Sequence, residues 1–317
     1  MAEPLWTEED DERPRSAGGG AVRVRVPAKI NLHLGVGPLR ADGYHELTTV
    51  YHAISLHDEV IARPGDTLTL TMEGEGAGQL ALDDTNLVHR AVRALARHTG
   101  RQAHARLHLR KQIPLAAGLA GGSADAAAAL VACDALWGTG LARDHLAAIA
   151  AEIGSDVPFL VYGGTALGTG RGETISPVLA QAATWHWVVA VADGGLATPT
   201  VFAELDRLRA TGRIDRVGPP DDVLAALRQR DPEVLAAALG NDLQPAALSL
   251  RPALADTLRA GAEAGALAGL VSGSGPTCVF LARDPAHAEE VAAALGAAGV
   301  CRAALVAHGP VAGARVV

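Results

Sequence analysis

The stretch IPLAAGLAGGSADAAAAL, Ile113 to Leu130, decides the reading of this chain. Just before it, His104-Ala105-Arg106-Leu107-His108-Leu109-Arg110 alternates apolar and polar residues, the period of a half-buried strand. Pro114 and three glycines, Gly118, Gly121 and Gly122, break that pattern. A helix is expected from Ser123: serine suits an N-cap, Asp125 places negative charge in the first turn, and the alanines that follow are the strongest helix formers. Strand, glycine loop and helix N-terminus together aim several free backbone N–H groups at one point, with the helix dipole behind them. Such a point holds phosphate, although in a chain with 36 glycines the segment also reads as a plain tight connection.

Two common phosphate loops are excluded. No Lys-Ser or Lys-Thr follows a glycine here, and G-x-x-G-G is not the dinucleotide spacing G-x-G-x-x-G. The segment Pro114-Leu115-Ala116-Ala117-Gly118-Leu119-Ala120-Gly121-Gly122-Ser123-Ala124 resembles the ATP loop of the galactokinase, homoserine kinase, mevalonate kinase and phosphomevalonate kinase superfamily. Ala117 and Ala120 stand where many of those proteins have glycine, so the resemblance does not extend to every backbone contact.

Composition narrows the classes. The 317 residues suffice for one large or two ordinary domains, and 49% apolar with 20% charged residues is the balance of a soluble globular protein. No apolar run approaches the roughly 18 residues of a membrane span. A formal charge of −8 argues against nucleic-acid binding. Cys133, Cys278 and Cys301 are odd in number and far apart, reading as thiols of a reducing cytoplasm. Met1 to Gly20 lacks an apolar core and reads as a disordered leader rather than a signal peptide. Only Lys29 and Lys111 are lysines, against 25 arginines. A lysine kept in that background suggests a need for a compact ammonium.

Along the chain, Val22, Val24 and Val26, then Ile30, Leu32 and Leu34, predict two strand segments kinked at Pro27-Ala28, with Lys29 and Asn31 sharing the polar face. Strands are expected at Leu47 to Ile54, Glu59 to Ala62 and Thr67 to Met72, and a helix over Asn86 to His98 entered through Asp84 or Thr85. Helices Ser123 to Leu136 and Arg143 to Glu152 precede Gly154-Ser155-Asp156-Val157-Pro158-Phe159, where Asp156 reads locally as a turn former or cap. Gly163 to Gly172 reads as a connection, and composition shifts near Pro177 to Thr184. Beyond it the order strand, helices, strand, strand, helix, strand predicts a ferredoxin-like, split βαβ unit. The expectation is an α+β protein with a leader over 1–20, an ATP-binding domain over 21–180 and a substrate-side domain over 181–317.

Within the superfamily, the chain resembles the branch that phosphorylates 4-diphosphocytidyl-2-C-methyl-D-erythritol for non-mevalonate isoprenoid synthesis. Pro27-Ala28-Lys29-Ile30-Asn31-Leu32 and Arg40-Ala41-Asp42-Gly43-Tyr44-His45 carry that resemblance, with Asp84-Thr85-Asn86-Leu87, Gly154 to Phe159 and Ser272-Gly273-Ser274-Gly275-Pro276-Thr277 in support. It implies an N-terminal domain like ribosomal protein S5, ATP with Mg²⁺, and a cytidine diphosphate sugar alcohol as partner. The roles it implies are Asp156 as general base with Lys29 beside it, and the loop residues from Pro114 to Ala124 around the triphosphate. Ser123 is a candidate Mg²⁺ ligand, and Asn86 and Lys111 are placed at adenine or ribose. Asn31, Tyr44, His45, Thr200 and Phe202 are assigned to the substrate, with Tyr44 and Phe202 as stacking faces for cytosine. Another small-alcohol kinase of the superfamily, or a silent nucleotide-binding relative, stays open, as does a monomer against a weak homodimer.

Overall fold

The alternation around Lys29 builds one long strand, β1 (Val22–Leu39). Its register against β2 (His45–Arg63) shifts between Pro27 and Ala28, where proline has no N–H for the ladder. Leu47 to Ile54 and Glu59 to Ala62, expected as two strands, are both parts of β2, which runs antiparallel to β1. The computed structural model describes residues 20–178, 183–212 and 214–317. Residues 1–19 of the expected leader, and part of the composition shift near 177–184, lie outside the described residues.

β3 (Leu68–Gly74) pairs in parallel with β4 (Ala105–Lys111), and α1 (Leu87–Thr99) connects them. The cap of α1 is Asn86 rather than Asp84 or Thr85: its Oδ1 accepts the Val88 N–H at 2.9 Å, while Asp83 takes the Thr85 N–H and hydroxyl. After the glycine loop come α2 (Gly121–Trp137), α3 (Arg143–Ala151) and α4 (Val157–Tyr162). The connection expected over Gly163 to Gly172 instead contains β5 (Thr165–Gly170), whose backbone pairs along β2 despite its glycines, followed by β6 (Thr174–Pro177). Ladder hydrogen bonds depend on the backbone, so low strand propensity did not prevent the pairing.

The second sheet starts with β7 (Trp185–Val191). Helices α5 (Thr198–Ala210), α6 (Asp221–Gln229) and α7 (Pro232–Ala238), the two-residue β8 (Gly240–Asn241), and helices α8 (Gln244–Leu250) and α9 (Ala253–Glu263) follow. Then come β9 (Ala268–Val271), β10 (Cys278–Ala282), α10 (Pro285–Ala298), β11 (Ala303–Gly309) and β12 (Arg315–Val316). The sheet order β11-β7-β10-β9, all antiparallel, is the split βαβ arrangement expected from the element order. β8 and β12 leave this unit and pair with β1, so the late chain is sewn into the first sheet.

α2 packs against α1 and against both long strands, β1 and β2. Ala124, Ala126 to Leu130, Ala132 and Cys133 are all buried, so the helix is apolar on every side. Alanine side chains this small let α1 and both long strands approach the helix closely, and they fix where its N-terminus ends.

Candidate active site

α2 begins two residues earlier than expected. Its N-cap is Ala120, in the left-handed region at φ 58°, and Ser123 lies inside the first turn with no capping role. Gly121 and Gly122 are therefore helical, and no side chain caps the helix. The first intrahelical bond runs from the Ala124 N–H to the Ala120 carbonyl at 2.9 Å, which leaves the N–H groups of Gly121, Gly122 and Ser123 for an anion.

Two contacts set the loop in place. The Lys29 N–H donates to the Leu119 carbonyl at 3.2 Å, tying β1 to the loop directly. Gly118, at φ 76°, lies so close to the loop after β9 that a Cβ there would overlap the Ser272 carbonyl oxygen. The Ser272 hydroxyl returns a hydrogen bond to the Gly118 carbonyl at 3.2 Å. Buried Asn241 holds the second loop, its Nδ2 donating to the carbonyls of Val271 and Gly273.

Lys29, Asp156 and the glycine loop meet at one cavity of about 840 Å³. Lys29 Nζ donates to Asn31 Oδ1 at 2.8 Å and lies 3.8 Å from Asp156 Oδ2. Asn31 in turn donates to Thr49 Oγ1, so both polar residues on that strand face have partners and neither faces bulk water. Asp156 stands at the N-cap position of α4, yet its side chain caps nothing. Its Oδ1 accepts from the Tyr51 hydroxyl at 3.0 Å. Burial, then the charge of Asp156, pushes the Tyr51 phenol well above its ordinary range, so Tyr51 keeps its proton and remains the donor.

The far wall of the cavity comes from the Asp42-Gly43 turn and from α5. The Tyr44 N–H bonds to Asp42 Oδ1, and His45 follows, nearly buried. Val201 and Leu205 of α5 pack with Leu34, Val36 and Leu243, which turns Phe202 and Asp206 toward the cavity. Phe202 stacks on the His45 ring at 5.2 Å and 25°. The exposed ring of Tyr44 carries the Arg171 guanidinium at 5.1 Å, so cytosine would have only its other face.

Several expected site residues are placed elsewhere. Lys111, expected at adenine or ribose, has a fully buried side chain whose ammonium is 2.6 Å from Asp58 and 2.9 Å from Asp125. Asp58 also accepts the N–H groups of Gln112 and Ile113, so this cluster clamps the strand end behind the loop. Asp125 faces Lys111 and adds no charge at the helix tip; burial and then the neighbouring Asp58 push its carboxyl well up. The Asn86 side chain is used by its cap and by the Ala81 carbonyl. Pro114, Leu119 and Ala124 are buried and do not line the cavity, whereas Ala116, Ala117, Gly118, Ala120, Gly121, Gly122 and Ser123 do. Thr200 is exposed and lies off the cavity; Thr198, the first residue of α5, lines it instead, with its hydroxyl 3.0 Å from that of Ser274.

Tyr51, Arg171, Thr198 and Asp206 line the site without having been singled out in the sequence. The i, i+4 spacing of Phe202 and Asp206 on one helix was the available signal for Asp206. A tyrosine in mid-strand carries no such signal.

Comparisons with known proteins bear on the family and the fold. Residues 86–164 match the model described as GHMP kinases N terminal domain, and residues 223–301 match that described as GHMP kinases C terminal. A 4-diphosphocytidyl-2-C-methyl-D-erythritol kinase of Salinispora tropica is 76% identical over 98% of each chain. One from Mycobacterium tuberculosis is 57% identical over 94% of this chain and 93% of its own. A solved 4-(cytidine 5'-diphospho)-2C-methyl-D-erythritol kinase superposes with TM-score 0.73 at 33% identity, covering 90% of this chain and 98% of that one. A homoserine kinase from Cytophaga hutchinsonii, at 20% identity and TM-score 0.75, shares the fold. With that identity spread over nearly its whole length and the fold of the GHMP kinases, the chain belongs to the 4-diphosphocytidyl-2-C-methyl-D-erythritol kinase family.

Proposed function

We propose that the chain transfers the γ-phosphoryl group of ATP to the 2-hydroxyl of 4-diphosphocytidyl-2-C-methyl-D-erythritol in the methylerythritol phosphate route to isoprenoids. The observation that carries the reading is the Lys29–Asp156 pair, 3.8 Å apart, on a cavity that has a free helix N-terminus on one wall and the His45–Phe202 stack on another. Phosphoryl transfer asks a protein mainly for positioning and charge stabilisation. Asp156 takes the proton of the attacking hydroxyl, and Lys29 stabilises the alkoxide as it forms. The Tyr51 hydroxyl holds Oδ1 of Asp156, which leaves Oδ2 for the substrate.

The N–H groups of Gly121, Gly122 and Ser123 receive the triphosphate. Mg²⁺, when bound, neutralises phosphate charge. Among the described residues no cluster of three His, Cys, Asp or Glu side chains forms a cage for it, and Asp125 is committed to Lys111. Ser123, in the first turn of α2, would offer its hydroxyl oxygen to the ion beside the phosphates.

This reading divides the work between a nucleotide unit, residues 21–180, and a substrate-side unit, residues 181–317, which contributes Phe202. No helix among the described residues is long and apolar enough to cross a membrane. The free thiols Cys133, Cys278 and Cys301 suit a cytoplasmic enzyme. The test is ATP-dependent turnover of the cytidylyl alcohol beside mevalonate and homoserine. The cytidylyl alcohol should lead by kcat/KM of at least about 10³, the scale of discrimination open to a site that hydrogen-bonds its substrate. Equal or better use of either small alcohol would overturn the assignment.

A further inference from the structure

His45 stands on the substrate wall of the cavity, and Asp206 fixes which of its ring nitrogens can accept a hydrogen bond there. Asp206 lies one turn after Phe202 on α5, and its Oδ1 is 3.0 Å from His45 Nε2. A carboxylate only accepts hydrogen bonds, so the proton of a neutral imidazole bonded to it sits on Nε2. Nδ1 then carries the lone pair. Among the described residues His45 Nδ1 has no hydrogen-bond partner, and the ring lines the cavity. His45 itself is nearly buried and stacked on Phe202, so its plane is held as well as its tautomer.

A fixed acceptor of this kind separates two bases that are otherwise alike in shape. Cytosine offers an amino donor at its 4 position, where uracil offers a carbonyl acceptor. A lone pair on Nδ1 receives the first and opposes the second. Without the carboxylate the ring can exchange tautomers and present N–H to a uracil carbonyl. We propose that Asp206 is a positioning residue that locks His45 in the Nε2–H tautomer and thereby makes the pocket select cytosine over uracil. The proposal rests on the cytidylyl reading of the site.

The test compares wild type with D206A, D206N and D206E in two readouts. ¹⁵N shifts of the His45 ring in the ligand-free protein should show a single Nε2–H form in wild type and D206E, and a tautomer mixture in D206A and D206N. The ratio of kcat/KM for the cytidylyl alcohol to that for its uridylyl analogue should fall about tenfold or more in D206A and D206N, with D206E restoring much of it. Equal losses with both substrates and an unchanged ratio would reduce Asp206 to packing and overturn the proposal, as would a tautomer mixture in wild type. If wild type uses neither substrate, the functional reading fails by itself, while the ¹⁵N result still reports on the lock. Asp206 is half exposed on the surface of α5, so these variants should fold.

Discussion

Asp156 is able to act chemically because nothing local uses it. At the N-cap position of α4 its carboxylate would ordinarily bond to the first turn, but its partners are Tyr51 and Lys29, from strands more than a hundred residues earlier. Asp156→Asn keeps the size of the side chain and removes its basicity. Turnover should drop by about 10²–10⁴, the usual worth of general acid–base catalysis, with ATP affinity unchanged within a fewfold. Single-turnover kinetics with an independent ATP titration measures both, and an Asn variant with wild-type turnover would remove the base assignment. Lys29 stood out in the sequence as one of two lysines, whereas Asp156 reads locally as a turn former or cap and only the family resemblance singles it out. Tyr51 stood out in neither way, because a buried tyrosine in mid-strand looks like core until its hydroxyl is seen to reach across to another element.

The elements around the phosphate loop were easier to find than to place. The order strand, loop, helix follows from the sequence, but the preference of serine for caps points to Ser123 as the start of α2, whereas the chain turns at Ala120. A residue with a Cβ at φ 58° costs about 1 kcal/mol relative to glycine. Ala120→Gly should therefore be tolerated, with a small rise in stability at most, while Gly118→Ala must push the loop off Ser272 and should lose most activity. Paired thermal melts and kinetic assays separate the two, and a fully active Gly118→Ala variant would contradict the close loop contact. Lys111, placed at adenine or ribose by the family resemblance, shows what tertiary packing adds. It ends the strand that feeds the loop, as an ATP contact would, but two carboxylates behind that strand draw it inward. Burial pulls its pKa down, and Asp125 and Asp58 together more than offset this and hold it up. Lys111→Met would leave two buried acids without their cation and should destabilise the fold by about 3–5 kcal/mol. Denaturant midpoints together with the KM for ATP distinguish this structural role from nucleotide contact. A variant of normal stability with a raised KM would restore the original expectation.

The end of the chain ties the two sheets together. Just after β11, the Val311 N–H donates to the Ala53 carbonyl of β2 at 3.2 Å and the Val311 carbonyl accepts the Gly164 N–H at 2.7 Å, while the Ala314 N–H donates to the Leu160 carbonyl of α4. The main core runs through this junction, with Trp187 and Val189 packed among residues of the first sheet. The split βαβ order was legible from the alternation of its strands and helices. The return of β8 and β12 to β1 was not, since segments of two residues have no period to read. At the centre of the junction His52 is fully buried, with Nδ1 2.8 Å from Thr165 Oγ1 and the Trp187 ring 5.9 Å away. Burial, opposed by a contact with the Gly309 backbone, lowers its pKa from 6.5 to about 3. The folded protein thus refuses a proton that the unfolded chain accepts, so this contribution to stability is complete above pH 6.5 and is lost as pH falls from there toward 3. At about 1.36 kcal/mol per pH unit, roughly 2 kcal/mol should be gone by pH 5. His57, lowered to about 4 first by burial and then by Arg25 and Arg315, adds to the same slope. In His52→Asn the amide can keep the bond to Thr165 but has no proton to gain, so the variant should be less stable at neutral pH yet lose less on acidification. Urea midpoints from pH 7 to pH 5 measure the two slopes, and parallel lines for wild type and variant would show that the junction does not exclude the proton.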